Sequence, residues 1–308
     1  MTEAMAGSRE SVHAQPRGAP LLLRLSRAIE RRGWRGGTAL LRLAHRVGVL
    51  DRPARYALGR DIELDVPLHL RPMDEDDVRA YESVLVERLA TAIDAMAAPT
   101  TLIDCGADFG LISLKLVARC ARITRVIAVE PNSATRAALT SNMARLPCTA
   151  SSELAAAGDT CGRGELRYPA HDPESEVSRF VVPSAAGDFP VITVDALAAD
   201  VRGCVALKCD VEGSERAVVR GAVETLRRAS RFVVAFEAHP DHVQRTGIDP
   251  MAIVADLRAI RACTAVVAET GLELSDEHTA LFTELSERRI VNVVCASVAG
   301  PAGDERAR

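Results

Sequence analysis

Residues 101–110 read TLIDCGADFG. A short apolar run ends in an acid, Asp104; Gly106 and Gly110 follow, and a helical pattern begins at Leu111. That order describes a buried strand, a tight turn and a helix start. Glycines let backbone N–H groups approach a ligand with no Cβ in the way. The N-terminus of the following helix carries partial positive charge and unpaired donors, which favour a carboxylate or phosphate. Asp104 has the opposite sign and suits an ammonium. A ligand with both an amine and a carboxylate fits this turn.

A second chemical group is Lys208-Cys209-Asp210-Val211-Glu212-Gly213. On an extended backbone Lys208, Asp210 and Glu212 point to one side. If the strand runs on to Glu212, two carboxylates and an ammonium share one small volume. Close carboxylates push one pKa up, so that one can act as a base near neutral pH. Lys208 could instead neutralise them, and the two acids could instead stabilise the dipole of the next helix. A later strand, 231–237, ends in Glu237 and is followed by His239, Asp241 and His242. Beside the Asp210 strand, Glu237 and His239 would face the same cleft, although His239 before Pro240 could simply shape a turn. Carboxylates with imidazoles (Asp210, Glu237, His239, His242) suit several divalent ions. Nothing in their spacing defines a metal geometry, and no metal is assigned.

The turn at 104–110 departs from the dinucleotide fingerprint G-x-G-x-x-G, because Asp104 stands at the first of its three positions. The next strand, VIAVEPN, carries Glu130, 26 residues after Asp104. An acid at the tip of a second strand, roughly 20 residues beyond a Gly-rich turn, hydrogen-bonds ribose hydroxyls. Both features together point to S-adenosylmethionine (SAM) rather than a dinucleotide. A solvated strand-end carboxylate is the plainer alternative for Glu130.

These groups need elements to hold them. Strands expected at 100–105, 124–130, 191–197 (VITVDAL), 204–213 (CVALKCDVEG) and 231–237 alternate with helices at 110–121, 132–145, 213–229 and 249–262. The last helix opens with an Asp cap and a first-turn proline. TAVVAE and RRIVNVVCASV read as the last two strands. Such alternation argues a doubly wound, mostly parallel α/β sheet with ligands at the strands' C-terminal ends. An amphipathic helix with Val78, Tyr81, Leu85, Leu89 and Ile93 on one face precedes the first strand. Between 146 and 190 the pattern is poorer: a strand, a glycine turn at 162–164, another short strand, then a long loop.

Upstream lie a tail at 1–19 expected to be disordered, two short helices from about 20 to 49, and a β-ribbon within 56–70. Residues 17–60 hold eleven arginines against Glu30 and Asp51, in a chain whose formal net charge is −4. This helical extension (20–77) could pack on the main domain (78–300), or present a surface to an acidic partner, a phosphorylated substrate or an anionic membrane. A second frayed tail is expected at 301–308. Charged residues make up 26% of the chain and no apolar run nears the roughly 18 residues of a membrane span. MTEAMAGSRE has no basic region followed by an apolar stretch, so no signal peptide is expected. Eight scattered cysteines with no C-x-x-C pair argue against a zinc ribbon and for a reducing, cytoplasmic location. An acidic core with 3% aromatics argues against nucleic acid as partner.

The strings LIDCGADFGLIS, VIAVEPNSATRAALTSNM, AAAGDTCGRGEL, ITVDAL, ALKCDVEGSERAVVRGA and VVAFEAHP resemble the FkbM family of SAM-dependent methyltransferases over about residues 78–298. The K-x-D-V-E-G-x-E string followed by R-G-A is the most particular to it. The resemblance implies a Rossmann-like class I methyltransferase sheet and O-methylation of a hydroxyl on a sugar or another small-molecule scaffold. It implies that Asp104, Gly106, Asp108 and Gly110 hold the methionine portion of SAM and that Glu130 binds its ribose. Asp108 stands where the family more often has Asn, which adds negative charge there. Asp159 looks like the acid of the family's short strand–turn, a cofactor contact. Asp210, Glu212 or His239 would orient and deprotonate the acceptor, with Lys208 shaping the charge and loop 169–190 and the N-terminal helices on the acceptor side. The alternatives are a non-catalytic subunit of the same fold, docking through its basic arm, and an NAD(P)-dependent dehydrogenase, for which no hydride-transfer site stands out.

Overall fold

The computed structural model describes residues 18–59, 61–167, 180–277, 280–284 and 289–298. Both expected terminal tails, apart from residues 18–19, and residues 169–179 of the expected acceptor loop lie outside the described residues. The chain forms two compact units, one of residues 1–56 with 65–77, the other of 57–64 with 78–308.

The first unit contains α1 (Leu21–Arg31) and α2 (Gly37–Arg46). The helices bury Leu23, Ser26, Gly37 and Ala44, and the Ser26 hydroxyl donates to the Gly37 carbonyl at 2.8 Å. Arg31 gathers Asp74, Asp76 and Asp77, while the Tyr56 hydroxyl donates to the Met73 carbonyl at 2.7 Å. The ribbon strands β1 (Ala54–Gly59) and β2 (Ile62–Val66) carry the chain from one unit to the other.

The helix expected after the ribbon is two, α3 (Glu75–Ala80) and α4 (Ser83–Ala95). Lys115 Nζ donates to the carbonyls of Arg79 (3.1 Å) and Tyr81 (2.5 Å), and Glu82 turns left-handed at φ +49°. The ammonium thus takes carbonyls that a continuous helix would have used internally.

The second unit is built on β3 (Thr100–Cys105), α5 (Leu111–Arg119), β4 (Ile123–Val129), α6 (Arg136–Met143) and β5 (Thr149–Glu153). Strands β6 (Ala156–Gly158), β7 (Gly162–Arg167), β8 (Phe180–Pro183) and β9 (Phe189–Thr193) follow, then the short α7 (Val194–Leu197). β10 (Cys204–Cys209), α8 (Glu215–Arg220), α9 (Val223–Arg228), β11 (Phe232–Ala238), α10 (Pro240–Thr246) and α11 (Met251–Ile260) resume the alternation. β12 (Cys263–Val267), α12 (Leu281–Glu284) and β13 (Val291–Ser297) complete it.

Seven strands form one sheet in the order β12-β13-β11-β10-β3-β4-β5. The five from β11 to β5 are parallel, and β13 runs antiparallel to both β11 and β12. This is the doubly wound, mostly parallel Rossmann-like sheet that the alternation predicts. β10 is fully buried, as a parallel strand covered on both faces must be. Val205, Leu207 and Cys209 join Ile103, Cys105, Ile127 and Val129 in the core under α8, α9 and α11. Lys208 and Asp104, directly opposite each other in register, alternate to the other face. Winding runs from β3 through β4 to β5, then returns across β3 to β10. The switch point therefore lies between β3 and β10, where open α/β sheets place their ligands.

Two further expectations change. The single helix expected over 213–229 breaks at Gly221–Ala222. A Cβ on Gly221 would stand 2.0 Å from the Gly158 carbonyl oxygen, so strand β6 crosses close against the helix here. The glycines expected as a turn at 162–164 lie inside β7, in a separate four-stranded sheet of order β6-β9-β7-β8.

Candidate active site

β3 stops at Cys105, and the Gly106 and Ala107 N–H groups both donate to the Val129 carbonyl, at 2.9 and 3.1 Å. The turn is thereby strapped to the end of β4. Gly106 takes φ +78°, and a Cβ there would lie 1.7 Å from the Asp210 carbonyl oxygen. No other residue fits. The close neighbour is the loop leaving β10, whose Asp210 N–H donates to the Cys105 carbonyl at 3.0 Å. Gly110, at φ +89°, is the N-cap of α5.

Asp104 is 1% exposed. It accepts a 2.6 Å hydrogen bond from the Ser113 hydroxyl, on the first turn of α5. The ammonium it meets is the protein's own. Lys208 Nζ stands 3.2 Å from Asp104 Oδ1 and 3.4 Å from Asp210 Oδ2, and donates to the Gly106 carbonyl at 2.8 Å. Asp104 Oδ1 is thus held in an ion pair with Lys208, and its Oδ2 by Ser113. Burial pulls the Lys208 pKa down, but the Asp104 and Asp210 charges outweigh it and hold the ammonium well above its usual range. Lys208 thus welds the tips of β3 and β10 and the glycine turn into one body.

Glu130 follows the last residue of β4. Its Oε1 accepts the Asn132 N–H at 2.8 Å and its Oε2 the Asp108 N–H at 2.9 Å. Burial pushes its pKa up to about 7, against the pull of the Asn132 N–H, and the Asp108 carboxylate adds to the rise. Asp108 itself sits at φ +50°. Each Glu130 oxygen keeps a second lone pair for a hydroxyl donor.

The loop after β10 differs from the expected extended strand. The strand ends at Cys209, and Glu212 takes φ +57°. Asp210 stays beside Lys208, whereas Glu212 swings away to His242, Oε2 to Nε2 at 3.1 Å. The Arg245 guanidinium donates to the Glu212 carbonyl, and Glu215 Oε1 accepts the Gly213 and Val211 N–H groups at 2.9 and 3.3 Å. These ties fix the left-handed kink, so Lys208, Asp210 and Glu212 do not form one row. Arg245 also lies over the Phe180 ring, 4.3 Å from its centroid, which brings β8 beside this loop.

Glu237 sits near the end of β11. Burial, then the charges of Asp210, Glu212, Glu215 and Glu82, push its pKa up to about 9. It is therefore a neutral acid at pH 7 and can donate a hydrogen bond. His239 caps α10: its Nδ1 accepts the Asp241 N–H at 3.0 Å, and its ring stacks on His242 at 4.5 Å. Burial and the neighbouring His242 lower its pKa. With Nδ1 accepting, the neutral ring carries its proton on Nε2 and offers a donor rather than a base.

Asp104, Gly106, Asp108, Gly110 and Glu130 thus gather at the tips of β3 and β4. Lys208, Asp210, Glu212 and His239 belong to the neighbouring tips of β10 and β11. Asp159 is exposed beyond β6, its Cα beside Gly221 at the C-terminal end of α8. Two site neighbours lie outside the sequence expectations. Ser113 had a signal, nine residues after Asp104 on the following helix. Glu82, which accepts from Asn292 Nδ2 at 2.9 Å, had none, because only the fold brings α4 and β13 to this end. Among the described residues, no group of three or more His, Cys, Asp or Glu is arranged to hold a metal ion.

The model of the Methyltransferase FkbM domain matches residues 104–287. No curated protein matches the chain by sequence. Among solved structures, the chain is similar to the putative methyltransferase yhhF of Escherichia coli, with 14% identity over 80% of this chain and 99% of that one, TM-score 0.40. It is similar also to a geranyl diphosphate methyltransferase in complex with SAM (12% identity, 73% and 88% covered, TM-score 0.41). A third is the precorrin-6y C5,15-methyltransferase of Geobacter metallireducens GS-15 (13% identity, 69% and 88% covered, TM-score 0.33).

Proposed function

The chain belongs to the FkbM methyltransferase family, whose domain covers residues 104–287, and from that premise we propose that it methylates a hydroxyl of a small molecule, using SAM. The observation that carries this reading is the convergence, at the tips of β3 and β4 beside the β3/β10 switch point, of the glycine turn, the α5 N-terminus and the Glu130 carboxylate. The residues present fit that cofactor. Gly106 and Gly110 bring the turn to the α5 N-terminus with no Cβ at either position, and Glu130 retains acceptor capacity on both oxygens. The turn 104–110 would hold the methionine end and Glu130 the ribose. Bound SAM supplies a methyl group already activated on a sulfonium.

What the chain itself must do is align an oxygen and take its proton. Asp210 is best placed to accept that proton, one-third exposed at the β10 tip and next to the turn. Lys208 is a positioning residue that keeps the Asp104 and Asp210 charges balanced. Glu212 is engaged by His242, and His239 offers a donor. Glu237, protonated at neutral pH, offers a second donor for an acceptor oxygen. Phe180, beside Arg245, marks the acceptor side.

Isothermal titration with S-adenosylhomocysteine tests the cofactor half. Binding is expected, and Glu130→Gln should weaken it; absence of binding by the folded wild-type chain overturns it. Mass spectrometry of a panel of hydroxylated and amine acceptors tests the other half. A product heavier by one CH2, lost in Asp210→Asn, supports hydroxyl methylation; modification of amines alone overturns it.

A further inference from the structure

Most of the large apolar side chains that the described residues leave exposed lie on one short stretch. Leu21, Leu25, Trp34, Leu43, Val47 and Val49 belong to α1, α2 and the segments next to them. Leu21 is 67% exposed and Trp34 64%. The pattern is regular. On α1, Leu21, Arg24, Leu25 and Arg32 fall on the face opposite the buried Leu23 and Ser26. On α2, Arg42 and Arg46 fall opposite the buried Gly37 and Ala44, with the exposed Leu43 on their flank and the exposed Val47 as the C-cap. Each helix therefore turns outward a stripe in which aliphatic and guanidinium groups alternate at i, i+3 and i+4 spacing.

The inward-facing arginines are satisfied: Arg27 pairs with Glu30 and Asp77, and Arg31 with Asp74, Asp76 and Asp77. Arg24, Arg32, Arg35, Arg42 and Arg46 make no ion pair among the described residues. Arg32 lies over the Trp34 ring, 5.4 Å from its centroid. Unpaired cations call for anions, and exposed leucines call for an apolar medium. A bilayer interface supplies both within a few ångströms of depth, and Trp suits its headgroup layer.

We propose that the outer faces of α1 and α2, with Trp34 between them, dock on an anionic lipid membrane. The apolar groups enter the headgroup region and the five arginines meet lipid phosphates. An acidic protein would satisfy the arginines but has no use for isolated aliphatic groups on every turn.

Trp34 is the chain's single tryptophan, so its fluorescence reports this surface alone. The full chain is titrated with phosphatidylglycerol/phosphatidylcholine vesicles, with pure phosphatidylcholine vesicles, and with polyglutamate. The expected result is a blue shift and co-sedimentation with the anionic vesicles only, weakened by salt. Arg24→Gln/Arg42→Gln/Arg46→Gln should lower the partition coefficient roughly 100-fold, about fivefold per arginine. Leu25→Gln/Leu43→Gln should remove the blue shift. All these positions are exposed, and the thermal transition should stay in place. No binding to anionic vesicles at low salt, equal binding to neutral ones, or the same blue shift with polyglutamate would overturn the proposal.

Discussion

Lys208 shows what one buried charge can do at a strand tip. Its side chain is 4% exposed and faces two carboxylates and a carbonyl. Lys208→Met would leave Asp104 and Asp210 facing each other without a cation, at a cost of about 3–5 kcal/mol. Denaturant unfolding should show that loss, and Lys208→Met/Asp104→Asn should recover part of it. Glu130 has its pKa pushed up to about 7, so its carboxylate forms only as pH rises through that value. If ribose binding needs the carboxylate, S-adenosylhomocysteine should bind about tenfold more weakly at pH 6 than at pH 8, and Glu130→Gln should flatten that dependence. Glu237 titrates higher still, at about 9, against an ordinary 4.5. Between those values the folded state holds a proton that the unfolded state has released. Stability from this group is therefore full below the ordinary carboxylate range and falls as pH rises toward 9. Glu237→Gln should accordingly raise Tm more at pH 9 than at pH 5, by calorimetry.

The elements place these residues through backbone contacts more than through side chains. The turn after β3 and the loop after β10 touch so closely that Gly106 has no substitute, its Cβ position lying 1.7 Å from the Asp210 oxygen. Gly106→Ala should push the two loops apart, destabilise the fold by at least about 2 kcal/mol and lower cofactor affinity. Chemical denaturation and titration calorimetry read the two effects separately. The strands and helices around this contact were legible because their apolar periods are strong: TTLIDC and CVALKC are continuous buried runs. Strand β5 was not, since TASSE is a half-exposed edge strand with no apolar face to advertise it. The helix breaks at Glu82 and Gly221 were hidden for another reason. Lys115 and Gly158, which meet the chain at these breaks, are distant in sequence.

At the scale of the whole molecule, charge is segregated. Arg24, Arg42 and Arg46 of α1 and α2 are exposed, and the acids Glu82, Asp210, Glu212, Glu215 and Glu237 cluster at one end of the seven-stranded sheet. Neutralising Arg24, Arg42 and Arg46 should leave S-adenosylhomocysteine affinity within about twofold of wild type, since all three are exposed and salt screens exposed charges. Titration of the triple variant checks this. By itself the sequence determined the α/β alternation, the family and the cofactor, because those rest on local periodicity and on short contiguous strings such as TLIDCGADFG and ALKCDVEG. It also marked Asp104 and Glu130 as strand-tip acids. Only the tertiary structure decided which groups those acids face. Asp104 spends its charge on Lys208, 104 positions away, Glu212 turns to His242, and Asp159 sits by Gly221. The physical reason is that pairing, burial and pKa depend on distances of a few ångströms. The switch of winding between β3 and β10 sets those distances, and sequence spacing does not encode them.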